Sequence, residues 1–315
     1  MANPQVARRI LVTGSAGFIG SNLVRHLAAA GRQVVGIDRR EPAPGTDFPD
    51  HLRQVVGDLR SVDLAPLLEG VGTVVHLAAI PGVRPSWRDF DDYVECNLLV
   101  TRRLLEACTT AGTPRLVIAS SSSVYGDGVR GPMAETRSPA PASPYAVTKL
   151  AAEQLALAYA HRPGSRLSTV ALRFFTVYGP GQRPDMLISR LIRAALTGDE
   201  IEIYGDGTAR RDFIYVGDVV EAITRVVDAN VGSGVFNLGS GGNVSLTELI
   251  SQVSELAERA PRVVHRDRKA GDVGFTLADT GRTATALGFR AATTLVEGLR
   301  LSIEAQRARM ATTSA

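Results

Sequence analysis

Short, continuously apolar runs separated by longer amphipathic stretches constrain this chain more than any other feature. It opens on RILVTG, passes through a helical pattern from about 18 to 30, and continues with QVVGID, VGTVVHLA, a second helical pattern from about 93 to 111, and RLVIASS. A strand that is apolar at nearly every position is buried on both faces. Strands that alternate with helices reach that state by lying parallel in a sheet covered on both sides. The expected fold class is therefore α/β, a doubly wound parallel sheet. After about residue 175 the alternation loosens. Loops at YGPGQRPDM and IYGDGTARRDFIY, a strand at GVFNLGS, and helices near 245 to 259 and 293 to 307 read as a smaller C-terminal lobe. That lobe is expected to interleave with the first domain, so the division into residues 1–175 and 176–315 is approximate.

VTGSAGFIGSNL places Gly14, Gly17 and Gly20 at three-residue spacing between the first strand and the first helix. Glycines there permit a tight turn, let the backbone approach a pyrophosphate, and leave the helix N-terminus free to donate amides to phosphate oxygens. The spacing differs from GxGxxG. Asp38 ends the second strand, 18 positions beyond Gly20. A carboxylate at that point accepts hydrogen bonds from an adenosine ribose and repels a 2′-phosphate, which favours NAD over NADP. Arg39 and Arg40 pull the other way, since either can pair with a 2′-phosphate. Together these features predict that the first domain is a Rossmann-type NAD-binding unit.

Two further features carry chemistry. ASSSSVYG, residues 119–126, puts four serines after a buried strand, and SPYAVTK places Tyr145 and Lys149 on one helix face. A lysine beside a tyrosine stabilises the phenolate and is expected to lower the phenol's pKa from about 10 toward working pH, turning a poor base into a useful one.

Composition removes other classes. A chain of 315 residues, 44% hydrophobic, can bury a large core. A net charge of +3, from 35 basic and 32 acidic residues, gives no case for nucleic acid, with RVVHRDRK the local basic cluster. Cys96 and Cys108, both in a helical pattern, suggest neither a disulfide framework nor a metal site, and point to reducing cytosol. The N-terminal apolar run is too short for a signal peptide. No uncharged run approaches the ~18 residues of a membrane span. A soluble, cytoplasmic protein is expected.

In order along the chain, GSAGFIG, Asp38, GDLR with Asp58, HLAA, Asn97, SSSSVYG, YAVTK, RFFTVYGP and RRDFIYVGDV resemble the extended short-chain dehydrogenase/reductase family, in its nucleotide-sugar epimerase branch. The resemblance covers nearly the whole chain and is closest to UDP-glucuronate 4-epimerases. It implies a catalytic trio of Ser121, Tyr145 and Lys149. It further implies NAD contacts from Gly14, Gly17, Phe18, Ile19, Gly20, Asp38, Asp58, Leu59 and Ala78, besides Tyr145 and Lys149. Ser121 would hydrogen-bond the sugar O4 while the Tyr145 phenolate removes its proton and C4 delivers hydride to NAD; the ketone then takes the hydride back on its other face. In related dehydratases the positions of Ser122 and Ser123 hold Asp and Glu, and in related decarboxylases the second holds Glu. Two serines cannot perform that proton transfer unaided.

The same resemblance sets substrate contacts. Arg183 of GQRPDM stands where the family reaches a sugar carboxylate, with Ser122, Ser123, Thr176, Arg84 and Ser86 around the sugar. Arg211, Lys269 and Asp272 are expected at the nucleotide; the family's usual arginine is Lys269 here, with Arg268 beside it, and either is a candidate for the diphosphate. A homodimer through the helices near 93–111 and 145–162 is implied. A neutral UDP-hexose such as UDP-glucose or UDP-N-acetylglucosamine is the alternative substrate. A dehydratase, a decarboxylase and a non-catalytic nucleotide-sugar-binding protein are the remaining readings.

Overall fold

The computed structural model describes residues 9–41, 51–128, 130–229, 231–267 and 273–313. Along the chain run β1 (Arg9–Thr13), α1 (Phe18–Ala29), β2 (Val34–Asp38), β3 (Leu52–Val56), β4 (Val71–His76), α2 (Val100–Ala111), β5 (Arg115–Ser121), α3 (Pro144–His161), β6 (Ser168–Phe174) and β7 (Thr176–Tyr178). They are followed by α4 (Leu187–Thr197), β8 (Glu200–Tyr204), β9 (Phe213–Tyr215), α5 (Val216–Asp228), β10 (Gly234–Leu238), α6 (Leu246–Ala257), β11 (Arg262–Arg266) and α7 (Leu295–Thr313).

Seven of these strands form one parallel sheet in the order β3-β2-β1-β4-β5-β6-β10. Ile10, Leu11 and Val12 of β1 are all buried, as the apolar run requires of a strand covered on both faces. One face packs against α1 and α5 through Leu23, Leu27, Val219 and Ile223. The other packs against α2 and α3 through Leu104, Leu105, Ala152 and Ala156. The chain runs outward from β1 to β2 and β3, then returns to β4. The carboxyl ends of β1 and β4 therefore diverge into a crevice, where open α/β sheets take their ligands.

The strand expected at GVFNLGS is β10, and it completes the main sheet beside β6. Chain from beyond residue 176 is thus built into the main sheet. The remaining elements close a second core, with Leu191, Ile192, Ile203, Leu249, Val253 and Leu299 drawn from α4, β8, α6 and α7. Asp212 ties this lobe to the sheet: its buried carboxylate accepts the amides of Ser240 (2.7 Å), Gly241 (3.2 Å) and Ala278 (3.0 Å). The helix expected over 93–111 begins earlier, at Phe90, and passes through a π-helical turn at Val94–Leu99 before α2. Such turns open the backbone and often mark functional sites. Among the described residues, no helix is long and apolar enough to cross a membrane, and no group of three or more His, Cys, Asp or Glu side chains could hold a metal ion.

Candidate active site

The glycine turn closes on itself. Gly14 has φ +73°, a conformation that favours glycine, and a Cβ there would stand 2.8 Å from the Ala78 amide nitrogen. At Gly20 a Cβ would meet the Gly14 carbonyl oxygen at 2.1 Å. α1 starts from Gly17 with no side-chain cap, so the first-turn amides of Phe18, Ile19 and Gly20 remain available to an anion. Asp38, at the end of β2, lies under this turn: its carboxylate accepts the Ala16 amide at 3.1 Å and the Arg40 amide at 3.0 Å. Arg40 leans over the turn, its guanidinium 3.4 Å from the Ala16 carbonyl. These residues fit a dinucleotide pyrophosphate and its adenosine ribose. Asp58 is engaged differently from a free ligand contact. Arg60 grips its carboxylate at 2.7 Å, and that hydrogen bond holds the Asp58 pKa below the ordinary range. Leu59 beside it is buried.

β4 ends in His76, which sequence reasoning passed over. Its Nδ1 lies 2.7 Å from the Thr13 hydroxyl and its Nε2 3.1 Å from the Thr101 hydroxyl. Thr101 donates its only proton to the Asn97 carbonyl (2.7 Å), so it must accept from Nε2–H. Thr13 must then donate to Nδ1 while accepting the Ala78 amide at 3.2 Å. Counting protons thus fixes the neutral Nε2–H tautomer. Burial, reinforced by the charge of Lys149, pushes the His76 pKa down to about 3. Through this chain β1, β4, the Ala78 loop and the π-helical turn are pinned together. Asn97 extends the brace: its amide oxygen accepts the Ile80 N–H (2.8 Å) and its amide nitrogen donates to the Thr148 hydroxyl (3.2 Å).

The serines at the end of β5 divide their work. Ser120 is buried and donates to Glu153 at 2.6 Å. The Ser121 hydroxyl accepts both the Ser123 amide (3.2 Å) and the Ser123 hydroxyl (2.8 Å). With both lone pairs engaged, its own proton is left to donate, and its hydroxyl works to lower the Tyr145 phenol pKa. The Ser123 hydroxyl, expected at the substrate, donates here to Ser121. Ser122 bonds to no described side chain or backbone group, leaving its hydroxyl open.

α3 presents Tyr145, Lys149 and Glu153 at four-residue intervals, one stripe facing the sheet. Pro144 opens the helix and Ser143 caps it, accepting the Ala146 amide at 3.2 Å. Ser86 supplies a second cap. It is fully buried, accepts the Tyr145 amide at 3.0 Å, and donates to the Val83 carbonyl at 2.6 Å. Ser86, expected at the sugar, thus fixes where the helix begins. Tyr93 meets Tyr145 edge-on, ring centroids 6.2 Å apart. The Tyr145 phenol is half-buried, and burial raises its pKa above the ordinary value, with Ser121 and the Arg183 charge pulling it back. This is opposite to the direction expected from the Tyr–Lys pair, because desolvation outweighs the neighbouring groups. Burial also draws Lys149 down to about 8, with Glu153 one turn on opposing the fall. Glu153 is itself held by Arg173 of β6 at 2.7 Å, both side chains buried. The spacing YxxxKxxxE was the available signal for Glu153; nothing local announced Arg173.

Around this centre, Arg183 brings its charge to the Tyr145 and Tyr93 phenols from the loop after β7, while its guanidinium forks onto Asp185 at 2.9 and 2.7 Å. Arg84 lies 4.1 Å above the Tyr204 ring, linking the Ser86 loop to the second lobe. Thr176 opens β7, half-buried, its amide bonded to the Asp212 carbonyl at 3.0 Å. Arg211 is half-buried and donates to the Arg210 carbonyl at 3.0 Å. Arg268, Lys269 and Asp272 lie outside the described residues.

The sequence model of the NAD dependent epimerase/dehydratase family matches residues 10–239. A structure of MoeE5 in complex with UDP-glucuronic acid and NAD is 53% identical, with a TM-score of 0.91 and coverage of 96% of this chain and 99% of that one; MoeE5 has also been solved with UDP-glucose and NAD. The Bacillus cereus UDP-glucuronic acid 4-epimerase, in complex with UDP-glucuronic acid and NAD, is 36% identical with a TM-score of 0.90, covering 96% and 99%. A Bacillus subtilis relative, named an uncharacterized UDP-glucose epimerase, YtcB, is 40% identical over 92% of this chain and 95% of its own length.

Proposed function

The chain belongs to the NAD-dependent epimerase/dehydratase family and is an NAD-dependent UDP-sugar 4-epimerase; from that premise we propose that its sugar is UDP-glucuronate, interconverted with UDP-galacturonate. The observation that carries this reading is Arg183, in the loop after β7, whose charge acts on the Tyr145 phenol. A guanidinium whose charge reaches the reacting hydroxyl suits a substrate that carries a carboxylate at C5.

The glycine turn would hold the cofactor pyrophosphate and Asp38 the adenosine ribose, a set of residues favouring NAD. Bound there, NAD supplies a reversible hydride acceptor that takes the C4 hydride and returns it to the opposite face of the sugar. Tyr145 removes the O4 proton and later gives it back. Ser121, its proton directed outward by Ser123, donates to O4. Lys149, cationic at neutral pH because its pKa stays near 8, stabilises the negative charge of the phenolate. Ser122, Thr176 and Arg183 hold the sugar, and Arg211 extends the contact surface toward the nucleotide, as Lys269 and Asp272 also would.

The 4-ketone of a uronate is a β-keto acid and loses CO2 readily. A bidentate grip by Arg183, holding the C5–C6 bond near the plane of the ketone, denies the overlap that decarboxylation needs. Ser122 and Ser123 offer no acid or base to carry the ketone elsewhere. A neutral UDP-hexose is the second reading, favoured by Asp185, which neutralises Arg183 within the same loop. We also infer a homodimer through α2 and α3. Leu99 (43% exposed), in the π-helical turn leading into α2, and Val147 (45%), on α3, support this, as apolar side chains left open among the described residues.

Anomeric proton signals in NMR test the substrate. Purified enzyme is incubated separately with UDP-glucuronate, UDP-glucose and dTDP-glucose. Conversion of UDP-glucuronate to its galacto epimer without pentose, abolished by Tyr145→Phe, is expected. Turnover of UDP-glucose alone would return Arg183 to a structural role.

A further inference from the structure

The loop between β7 and α4 is built to keep Arg183 in one place. Asn22 of α1 donates to the Pro180 carbonyl at 3.2 Å. Buried Gln182 donates to the Val177 carbonyl and accepts the Ser189 amide, each at 3.1 Å. The Met186 amide closes a turn on the Arg183 carbonyl at 3.1 Å. Within this turn Arg183 Nε donates to Asp185 Oδ1 and Nη2 donates to Oδ2, a fork-to-fork pair. Asp185 is the outer partner, 67% exposed against 34% for the arginine. The pair holds the Asp185 carboxyl below its usual range, while the guanidinium charge partly offsets the burial that raises the Tyr145 and Tyr93 phenols.

The Nε edge of the guanidinium is therefore occupied, and a sugar carboxylate meets only the Nη1–Nη2 end, where Nη2 also faces Met186 Sδ at 3.7 Å. Two carboxylates then share one cation and repel each other across it. A neutral hydroxymethyl group suffers no such repulsion, and in its presence Asp185 keeps Arg183 from standing as an uncompensated charge. We propose that Asp185 determines specificity: as an internal carboxylate on Arg183, it moderates the preference of the site for a uronate and lets the same cleft hold a neutral hexose. This rests on the reading of Arg183 as the uronate contact.

The test is calorimetric titration of NAD-loaded enzyme with UDP-glucuronate and with UDP-glucose, at low and high salt. For Asp185→Asn, UDP-glucuronate is expected to bind about two- to fivefold more tightly, the scale of an exposed ion pair. UDP-glucose should stay within about twofold of wild type, and the gain should shrink at high salt, where exposed charges are screened. Asp185→Glu, which keeps the charge, should keep the wild-type ratio. An unchanged ratio in Asp185→Asn, or weaker uronate binding, would overturn the proposal and leave Asp185 only orienting Arg183. Arg183→Ala separates the two levels. If it leaves uronate affinity unchanged, the uronate reading of Arg183 falls and this proposal with it. If it weakens uronate binding while Asp185→Asn is silent, only the proposal falls.

Discussion

Glu153→Gln is the perturbation that most directly probes the support beneath the active-site helix. Glu153 and Arg173 are both buried, and the carboxylate accepts Arg173 Nη2 at 2.7 Å, Arg173 Nε at 3.0 Å and the Ser120 hydroxyl at 2.6 Å. The guanidinium also lies over the Tyr125 ring, 4.8 Å from its centre, but an aromatic face does not replace an anion. Removing one member of a buried pair leaves the other charge uncompensated, at a cost of about 3–5 kcal/mol. Unfolding entropy of roughly 2.1 cal/mol/K per residue implies about 1.5 °C of Tm per kcal/mol for 315 residues, hence a drop of about 5–8 °C. Scanning calorimetry measures it. The double variant Glu153→Gln with Arg173→Met removes both charges and should recover much of the loss. A second readout concerns function: Glu153 holds the Lys149 pKa up against burial, so its loss should move the alkaline limb of kcat/KM to lower pH. A single variant melting within about 2 °C of wild type would refute the account of the pair. An unmoved alkaline limb would refute its link to Lys149.

Acid should weaken the fold through His76. Its folded pKa, about 3, lies below the 6.5 of a free imidazole, so the unfolded state takes the proton first. Stability is whole above about pH 6.5 and declines from there toward pH 3, and thermal melts should show His76→Gln less stable at pH 7.5 but with a shallower slope between pH 6.5 and 5. Sedimentation at micromolar concentration should show a dimer, and Leu99→Glu with Val147→Glu should convert it to monomer while leaving the far-UV dichroism unchanged; a monomeric wild type would remove the pairing of α2 and α3.

What was legible in the sequence was what depends on local spacing. Gly14, Gly17, Gly20 and Asp38 mark their turn because a strand, a turn and a helix follow one another without a break. Tyr145 and Lys149 mark a helix face for the same reason. β3 escaped because it is the sheet edge: Leu52 is buried but Val56 is 55% exposed, so the apolar run that betrays a central strand is absent. The pinning role of His76 depends on Thr13 and Thr101, 63 positions before it and 25 after it, and the support of Glu153 comes from Arg173 on the next strand. The direction of the Tyr145 pKa shift is not legible in the pair alone, because desolvation belongs to the surroundings that only the fold assembles. Ser86 shows the same limit: its residue type and motif suit a sugar contact, and only its burial shows that it caps α3.

The run of serines carries that argument to its sharpest test. If Ser123 serves only to aim the Ser121 proton, then Ser123→Ala removes one of two donors to Ser121, the Ser123 amide at 3.2 Å remaining in place. One neutral hydrogen bond is worth about 0.5–1.5 kcal/mol, so kcat should fall roughly two- to twelvefold. Ser121→Ala, which removes the donor itself, should cost more. The decisive quantity is the coupling between them. Once Ser121 has no hydroxyl, Ser123 has nothing left to orient, so the double variant should turn over at the rate of Ser121→Ala alone. Fully additive losses would mean that Ser123 touches the sugar directly, and the division of labour along the ledge would have to be redrawn.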